Sequence, residues 1–324
     1  MKFFSFLTTT ISYLFFAPTD LPQPEMSSSV DLLILGAGWT STFLTPLCEK
    51  QQISYAATSR SGANSTVKFE FDQNSEDPEP FKSLPDAQTV LVTFPITVSG
   101  GSERLVQLYK STRRNQDLNP GFIQLGATSI WGVSSRQNAR ANPQEPPKPV
   151  ENKWYDRHSP FVPGDRANAE EELLKLSPSI PTTVLDLAGL WGGSRSMKNY
   201  VGRVAPTKEV LKNKGSIHMI HGIDVARAIL AVHGNWSKAS GERWILTDGR
   251  VYDWWDLASS WGSGSDPMNR DSEDRGPQPG WVRELMREEG VKALPRNIEV
   301  LGRALDSREF WETFGLDPLR ARLE

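Results

Sequence analysis

The stretch Leu32-Leu33-Ile34-Leu35-Gly36-Ala37-Gly38-Trp39-Thr40-Ser41-Thr42-Phe43-Leu44 decides the fold. Val30 to Leu35 is apolar apart from Asp31, the pattern of a central parallel strand buried on both faces. A Gly-rich turn follows, then a helix over Thr42–Gln51. Strand, GxG turn and helix in that order form the context of a dinucleotide fingerprint. Gly36 permits the tight turn and Gly38 lets backbone approach a pyrophosphate. Ala37, Trp39 and Thr40 complete the loop at the start of a helix whose N–H groups and dipole favour phosphate. Ser41 stands where the pattern usually has its third glycine.

Working outward, further strands are expected at Ile53–Thr58, Val67–Phe71, Thr89–Phe94, Phe122–Leu125, Thr183–Leu187, Ser216–Ile220 and Trp244–Thr247. Helices are expected at Glu103–Arg114, Arg166–Leu176, Val225–Val232 with Asp224 as N-cap, Trp281–Glu289 and Ser307–Phe314. The alternation predicts an α/β fold: a doubly wound parallel Rossmann sheet of about seven strands with a small C-terminal α/β lobe. Residues 26–190 are read as the dinucleotide-binding domain and 191–324 as a substrate lobe, with strand and helix 216–233 returning to the Rossmann core. Residues 136–152 read as a surface loop and 262–280 as a mobile insertion.

The chain has 324 residues, 38% hydrophobic and 23% charged, with a net charge of −3 and a pI near 5.9. No basic stripe for nucleic acid follows from that balance. A single cysteine, Cys48, excludes an intrachain disulfide and fits a reducing compartment. No HExxH, GxSxG or GxxxxGK[ST] motif is present, so metalloprotease, serine-hydrolase and P-loop readings fall away and no metal is expected. His218 and His221, three apart on the expected strand, point to opposite faces and build no metal site.

Residues 1–25 contain FFSFLTTTISYLFFA, short for a membrane span. They read as an upstream extension with Met26 as the working start. Cytoplasmic localisation is expected, with membrane or secretory-pathway association only if residues 1–25 are retained. The expected partners are a small-molecule substrate and a second copy of the chain in a homodimer.

The end of the second strand carries Thr58-Ser59-Arg60 and no acid. An acid there would hold the ribose hydroxyls of NAD; Ser59 and Arg60 suit the 2′-phosphate of NADP through charge-assisted hydrogen bonds. NADP(H) is therefore expected over NAD(H). Asp72, closing the third strand, is a candidate adenine contact, and Phe94 and Pro95 are expected under the middle of the cofactor.

In the second half, Ala188-Gly189-Leu190-Trp191-Gly192-Gly193-Ser194-Arg195 and Ile220-His221-Gly222-Ile223-Asp224-Val225-Ala226 are followed by Gly241-Glu242-Arg243-Trp244 and by LGRALDSREFWETFGLDP from Leu301. These resemble, in order, motifs of the extended short-chain dehydrogenase/reductase family, which includes sugar-nucleotide epimerases and dehydratases. Within it the chain is most similar to the YeeZ-like branch. The resemblance spans roughly residues 30–320. It implies an NADP(H)-dependent oxidoreductase or epimerase-type activity on a small carbonyl, hydroxyl or sugar-like substrate. The resemblance also places Arg195 near that substrate, and Trp131 and Trp191 at the cleft.

One departure matters. Family members use a Ser or Thr after the fifth strand and a Tyr-x-x-x-Lys pair on the next helix. Here the hydroxyl position falls on Ala127, the Tyr position near Arg166 and the Lys position near Glu170. A guanidinium stays protonated, so Arg166 is a poor acid or base, though it can stabilise an oxyanion. Two readings stand: rearranged catalysis, with Thr128 or Ser129 and Tyr155 or His158 handling protons, or NADP(H) binding without turnover, as a sensor or scaffold.

Overall fold

The computed structural model describes residues 29–115, 117–131, 153–262 and 276–321. The N-terminal extension, the 136–152 loop and residues 263–275 of the Gly/Pro-rich segment lie outside the described residues. Among the described residues, no helix is long and apolar enough to cross a membrane.

The strands of the main sheet are β1 (Ser29–Leu35), β2 (Tyr55–Ser59), β3 (Val67–Lys68), β4 (Asp86–Val92), β5 (Gly121–Ala127), β7 (Thr182–Leu187) and β11 (Arg243–Leu246). Four short strands lie outside it: β6 (Lys153–Tyr155), β8 (Gly189–Trp191), β9 (Ser216–Ile217) and β10 (Met219–His221). The seven-stranded sheet runs in the order β11-β7-β5-β4-β1-β2-β3, parallel at every pairing. This is the doubly wound sheet expected from the sequence. The chain moves outward one way through β2 and β3, then returns to β4 on the other side of β1. The crevice between β1 and β4 is the switch point at which open α/β sheets bind ligands.

Apolar continuity explains the centre. Leu32, Leu33, Ile34 and Leu35 are fully buried. Leu32 and Ile34 join the core under α1 (Ser41–Gln51) and the Gly222–Gly234 helix. Leu33 and Leu35 join the opposite layer with Val90, Leu105 and Tyr109. Two helices follow α1 in the first half, α2 (Glu79–Lys82) and α3 (Gly101–Ser111). A further cluster of Val201, Leu211, Trp255, Val282 and Leu285 packs the C-terminal lobe.

Several boundaries move. The third strand ends at Lys68, although Phe69 N–H still reaches Ser59 O. The expected strand Ser216–Ile220 splits into β9 and β10 at His218, whose Nε2 accepts from Leu305 N–H at 3.1 Å. Asp224 is not the cap of the following helix. His221 is, accepting from Ile223 N–H through Nδ1 at 3.1 Å. Asp224 lies fully buried in the first turn and accepts from the Leu319 and Arg320 N–H groups.

Candidate functional site: a two-part groove at the switch point

The groove begins at the β1–α1 loop. Gly36 adopts φ +96°, a conformation L-residues rarely hold, and a Cβ there would meet Thr93 Oγ1 at 2.6 Å. Its N–H donates to Thr58 Oγ1 at 3.0 Å, and Thr93 Oγ1 donates back to Gly36 O at 2.8 Å. Two neighbouring strand ends thus pin the first glycine. At Gly38 nothing lies within 4 Å of an added Cβ. The loop therefore turns an open backbone face to the groove, where a ligand can approach closely. Among the described residues, the N–H groups of Gly38, Trp39 and Thr40 have no hydrogen-bond partner. Thr40 caps α1 without a side-chain hydrogen bond. Free N–H groups at a helix start form an anion cradle.

On one side the groove opens into a cavity of about 980 Å³ lined by Gly36, Ala37, Gly38, Thr58, Ser59, Arg60, Phe71, Phe94 and Pro95 among others. Arg60 is exposed and, among the described residues, pairs with no protein group. Its guanidinium is uncommitted at the edge of the cavity. Ser59 lines the cavity too, but its hydroxyl is used inside the loop, bonded to Thr66 Oγ1 at 2.6 Å and accepting from Gly62 N–H at 3.0 Å. Asp72 does not line it. Its carboxylate accepts from Asn74 N–H and shapes the turn, while its neighbours Phe71 and Gln73 form the wall.

On the other side, across Gly36, Gly38, Thr93 and Pro95, a smaller cavity of about 350 Å³ is lined by Trp39, Thr40, Leu125, Gly126, Ala127, Arg166, Leu187, Ala188, Leu190 and Arg195. Arg195 stacks over the Trp39 ring at 4.7 Å, and Trp39 Nε1 donates to Gly192 O at 2.9 Å. The tryptophan of the β1–α1 loop is thereby tied to the GLWGGSR loop.

Beneath the floor lies a cluster of buried charges. Arg243 Nη1 donates to Glu170 Oε2 at 2.7 Å and to Asp186 Oδ2 at 2.9 Å. Arg166 Nε donates to Glu170 Oε1 at 3.0 Å. Glu170 and Asp186 are buried. Burial, reinforced by the charge of Glu170 and opposed by Arg243, pushes the Asp186 carboxyl up to about 7. Among the described residues, its Oδ1 has no hydrogen-bond partner.

The other catalytic candidates do not converge on the groove. Thr128 is buried and Ser129 exposed in the turn after β5. The Thr128 carbonyl accepts from Arg303 at 2.9 Å. Neither residue lines either cavity. Tyr155 sits on β6, packed against the Ile130–Trp131 cluster. His158 is exposed, held by Glu309 at 2.9 Å. Both lie away from the β1–α1 loop because residues 153–159 follow β6 to the opposite partner strand, Arg303–Leu305.

The two tryptophans are also repositioned. Trp131 is fully buried, with Nε1 donating to Ser159 O and its ring edge-on to Phe161. Trp191 is buried against His221, ring centroids 4.6 Å apart, and its neighbour Leu190 takes the lining position. Large apolar area won over motif position in both cases. Thr58 and Thr93 were not singled out in the sequence, although a hydroxyl at the end of each strand beside a GxG turn was the available signal. Glu170, Asp186 and Arg243 carry no local signal. Among the described residues, no group of three or more His, Cys, Asp or Glu is placed to hold a metal ion.

No family model matches the sequence, and no curated protein matches it either. Solved structures do match in fold. Vestitone reductase from alfalfa (Medicago sativa) is 14% identical, covering 89% of this chain and 93% of that one, with a TM-score of 0.58. RMD from Pseudomonas aeruginosa, solved with NADPH, is 12% identical over 89% and 93%, TM-score 0.51. UDP-N-acetylglucosamine 4-epimerase from Bacillus cereus is 11% identical over 90% and 94%, TM-score 0.51. The chain shares its fold, a Rossmann fold, with these three structures.

Proposed function

We propose that the chain binds NADP(H) along this groove and acts as an oxidoreductase or epimerase-type enzyme on a small carbonyl, hydroxyl or sugar-like substrate, with an unusual proton-handling site. The observation that carries this reading is the pairing of three uncommitted N–H groups at Gly38–Thr40 with an uncommitted Arg60 at the end of the neighbouring strand, across the switch point. Residues 26–190 supply the cofactor site and most of the lining of the smaller cavity, to which residues 191–324 add Arg195.

When bound, the dinucleotide supplies a hydride donor or acceptor. The chain's own residues do the rest. The loop N–H groups hold the pyrophosphate charge without reorganising. Arg60 pairs with the 2′-phosphate through charge-assisted hydrogen bonds. Thr58 and Thr93 keep Gly36 in its turn. Leu125, Ala127, Leu187, Ala188 and Leu190 line the smaller cavity with apolar surface that keeps water from the reacting centre.

A second reading, a binder without turnover, is favoured by one observation. No hydroxyl, imidazole or phenol among the proton-handling candidates lines the smaller cavity. Fluorescence titration of NADPH and NADH tests the cofactor assignment. NADPH should bind more tightly by about tenfold or more, the worth of a charge-assisted bond, and Arg60→Ala should erase the preference. Equal affinity, or tighter NADH, rejects the NADP assignment. NADPH oxidation over a carbonyl panel then separates enzyme from binder.

A further inference from the structure

Arg166 is held in a way that a surface arginine is not. Its Nε donates to Glu170 Oε1 at 3.0 Å and its Nη2 to Leu125 O at 2.6 Å. Glu170 is itself clamped by Arg243, which also holds Asp186. Two anchors fix the guanidinium plane. Among the described residues, the remaining nitrogen, Nη1, has no partner. Arg166 lines the cavity of about 350 Å³, together with apolar Leu125, Ala127, Leu187, Ala188 and Leu190, a second cation, Arg195, and no acidic side chain. A pocket of this size suits a small molecule, and apolar walls with a few placed polar groups fix its orientation. A preset guanidinium loses little freedom on binding and matches carboxylate or phosphate oxygens.

We propose that Arg166 is a fixed anion-binding residue, so that the pocket takes a small substrate carrying a carboxylate or phosphate group beside its reacting carbon. Glu170, Arg243 and Asp186 are positioning residues behind it. This rests on the reading of the neighbouring groove as the dinucleotide site, because the pocket is then the substrate's place beside the cofactor. The same site explains why an arginine–glutamate pair stands on the helix face that the resemblance assigns to proton transfer. Here the helix offers a charge to hold on to rather than a proton to move.

The test is calorimetric titration of malonate, and separately of inorganic phosphate, into the NADP+-saturated protein. At least one probe should bind the wild type. Malonate alone assigns a carboxylate, and phosphate alone a phosphate group. Arg166→Gln should weaken the probe by about tenfold or more while NADP+ affinity stays within about twofold. Arg166→Gln strands Glu170, so the double variant Arg166→Gln/Glu170→Gln, which removes both charges of the pair, is measured beside it and should show the same loss. The proposal is overturned when neither probe binds the wild type, or when the folded variants bind it unchanged. It is also overturned when NADP+ affinity falls in step with probe affinity, since the guanidinium then serves the dinucleotide's own phosphates. A wild type that binds no NADP+ rejects the dinucleotide reading alone. The same titrations on unloaded protein then decide the role of Arg166.

Discussion

Replacing Gly126 with alanine puts one methyl group into the charge cluster. Gly126 faces Asp186 in register across β5 and β7. An ideal Cβ would lie 2.9 Å from Asp186 Cγ and 3.0 Å from Glu170 Oε1, with Asp186 Oδ1 closer still. Asp186 cannot swing away freely, because Arg243 holds its Oδ2 at 2.9 Å. Overpacking alone costs roughly 1–3 kcal/mol. Breaking a buried ion pair costs roughly 3–5 kcal/mol. The methyl cannot enter without moving the carboxylate, so the larger effect governs, and a loss of about 3–5 kcal/mol is expected. That is a large share of the roughly 5–15 kcal/mol by which a folded chain is stable. Urea unfolding at neutral pH measures it, with an unchanged m-value confirming that stability alone has shifted. The decisive comparison is a double-mutant cycle with Asp186→Ala. With the carboxylate gone, the Gly126→Ala cost should fall by more than about 1 kcal/mol, the contact with Glu170 Oε1 remaining. The same cost in both backgrounds, or a cost under about 1 kcal/mol in the wild-type background, would refute the steric argument and with it the tight coupling of Arg166 to the cluster.

Three other outcomes follow from single residues. Burial pushes the folded Asp186 carboxyl up to about 7 from 3.8, so its contribution to stability is complete below about pH 4 and is lost as pH rises through about 7. The stability of wild type relative to Asp186→Asn, followed by urea unfolding from pH 4 to 8, should fall across that range; a flat difference contradicts the assignment. Trp131→Ala should cost about 3–5 kcal/mol through its cavity yet leave NADPH affinity unchanged, since the ring is core and not groove; weaker NADPH binding with intact stability would return Trp131 to the site. NADPH should quench part of the intrinsic fluorescence through Trp39, and Trp39→Phe should remove that part. Undiminished quenching in the variant places the cofactor elsewhere.

The sheet was legible because its centre is written locally. A strand buried on both faces must be apolar without alternation, and Leu32–Leu35 and Val90–Val92 satisfy that within a few residues. The β1–α1 loop was legible for the same reason: its glycines, the strand before it and the helix after it are contiguous. Site residues from the second half were harder. Trp131 and Trp191 hold motif positions associated with a cleft, but their burial is set by Phe161 and His221, which arrive from other elements. His221 displaced Asp224 as helix cap because the backbone turns before Gly222, three residues earlier than the polar pattern suggests. The Arg166–Glu170–Arg243–Asp186 cluster joins two strands and a helix at separations of 57 and 73 residues. Nothing in the local sequence marks four charges as mutual neighbours until the sheet order brings β11 beside β7.

The hydrogen bond from Trp39 to the Gly192 carbonyl spans 153 residues, and the outermost strand beside β7 is made only at Arg243–Leu246. Non-local pairings of this kind form late and slowly. A nascent chain therefore emerges with its β1–α1 loop exposed and unlatched. It carries that loop through the 153 residues from Trp39 to Gly192 before the opposite wall exists to meet it. The groove is a product of the finished chain, and a ligand that binds across it would reward completion of folding, drawing late-assembled molecules out of the partly built pool by mass action.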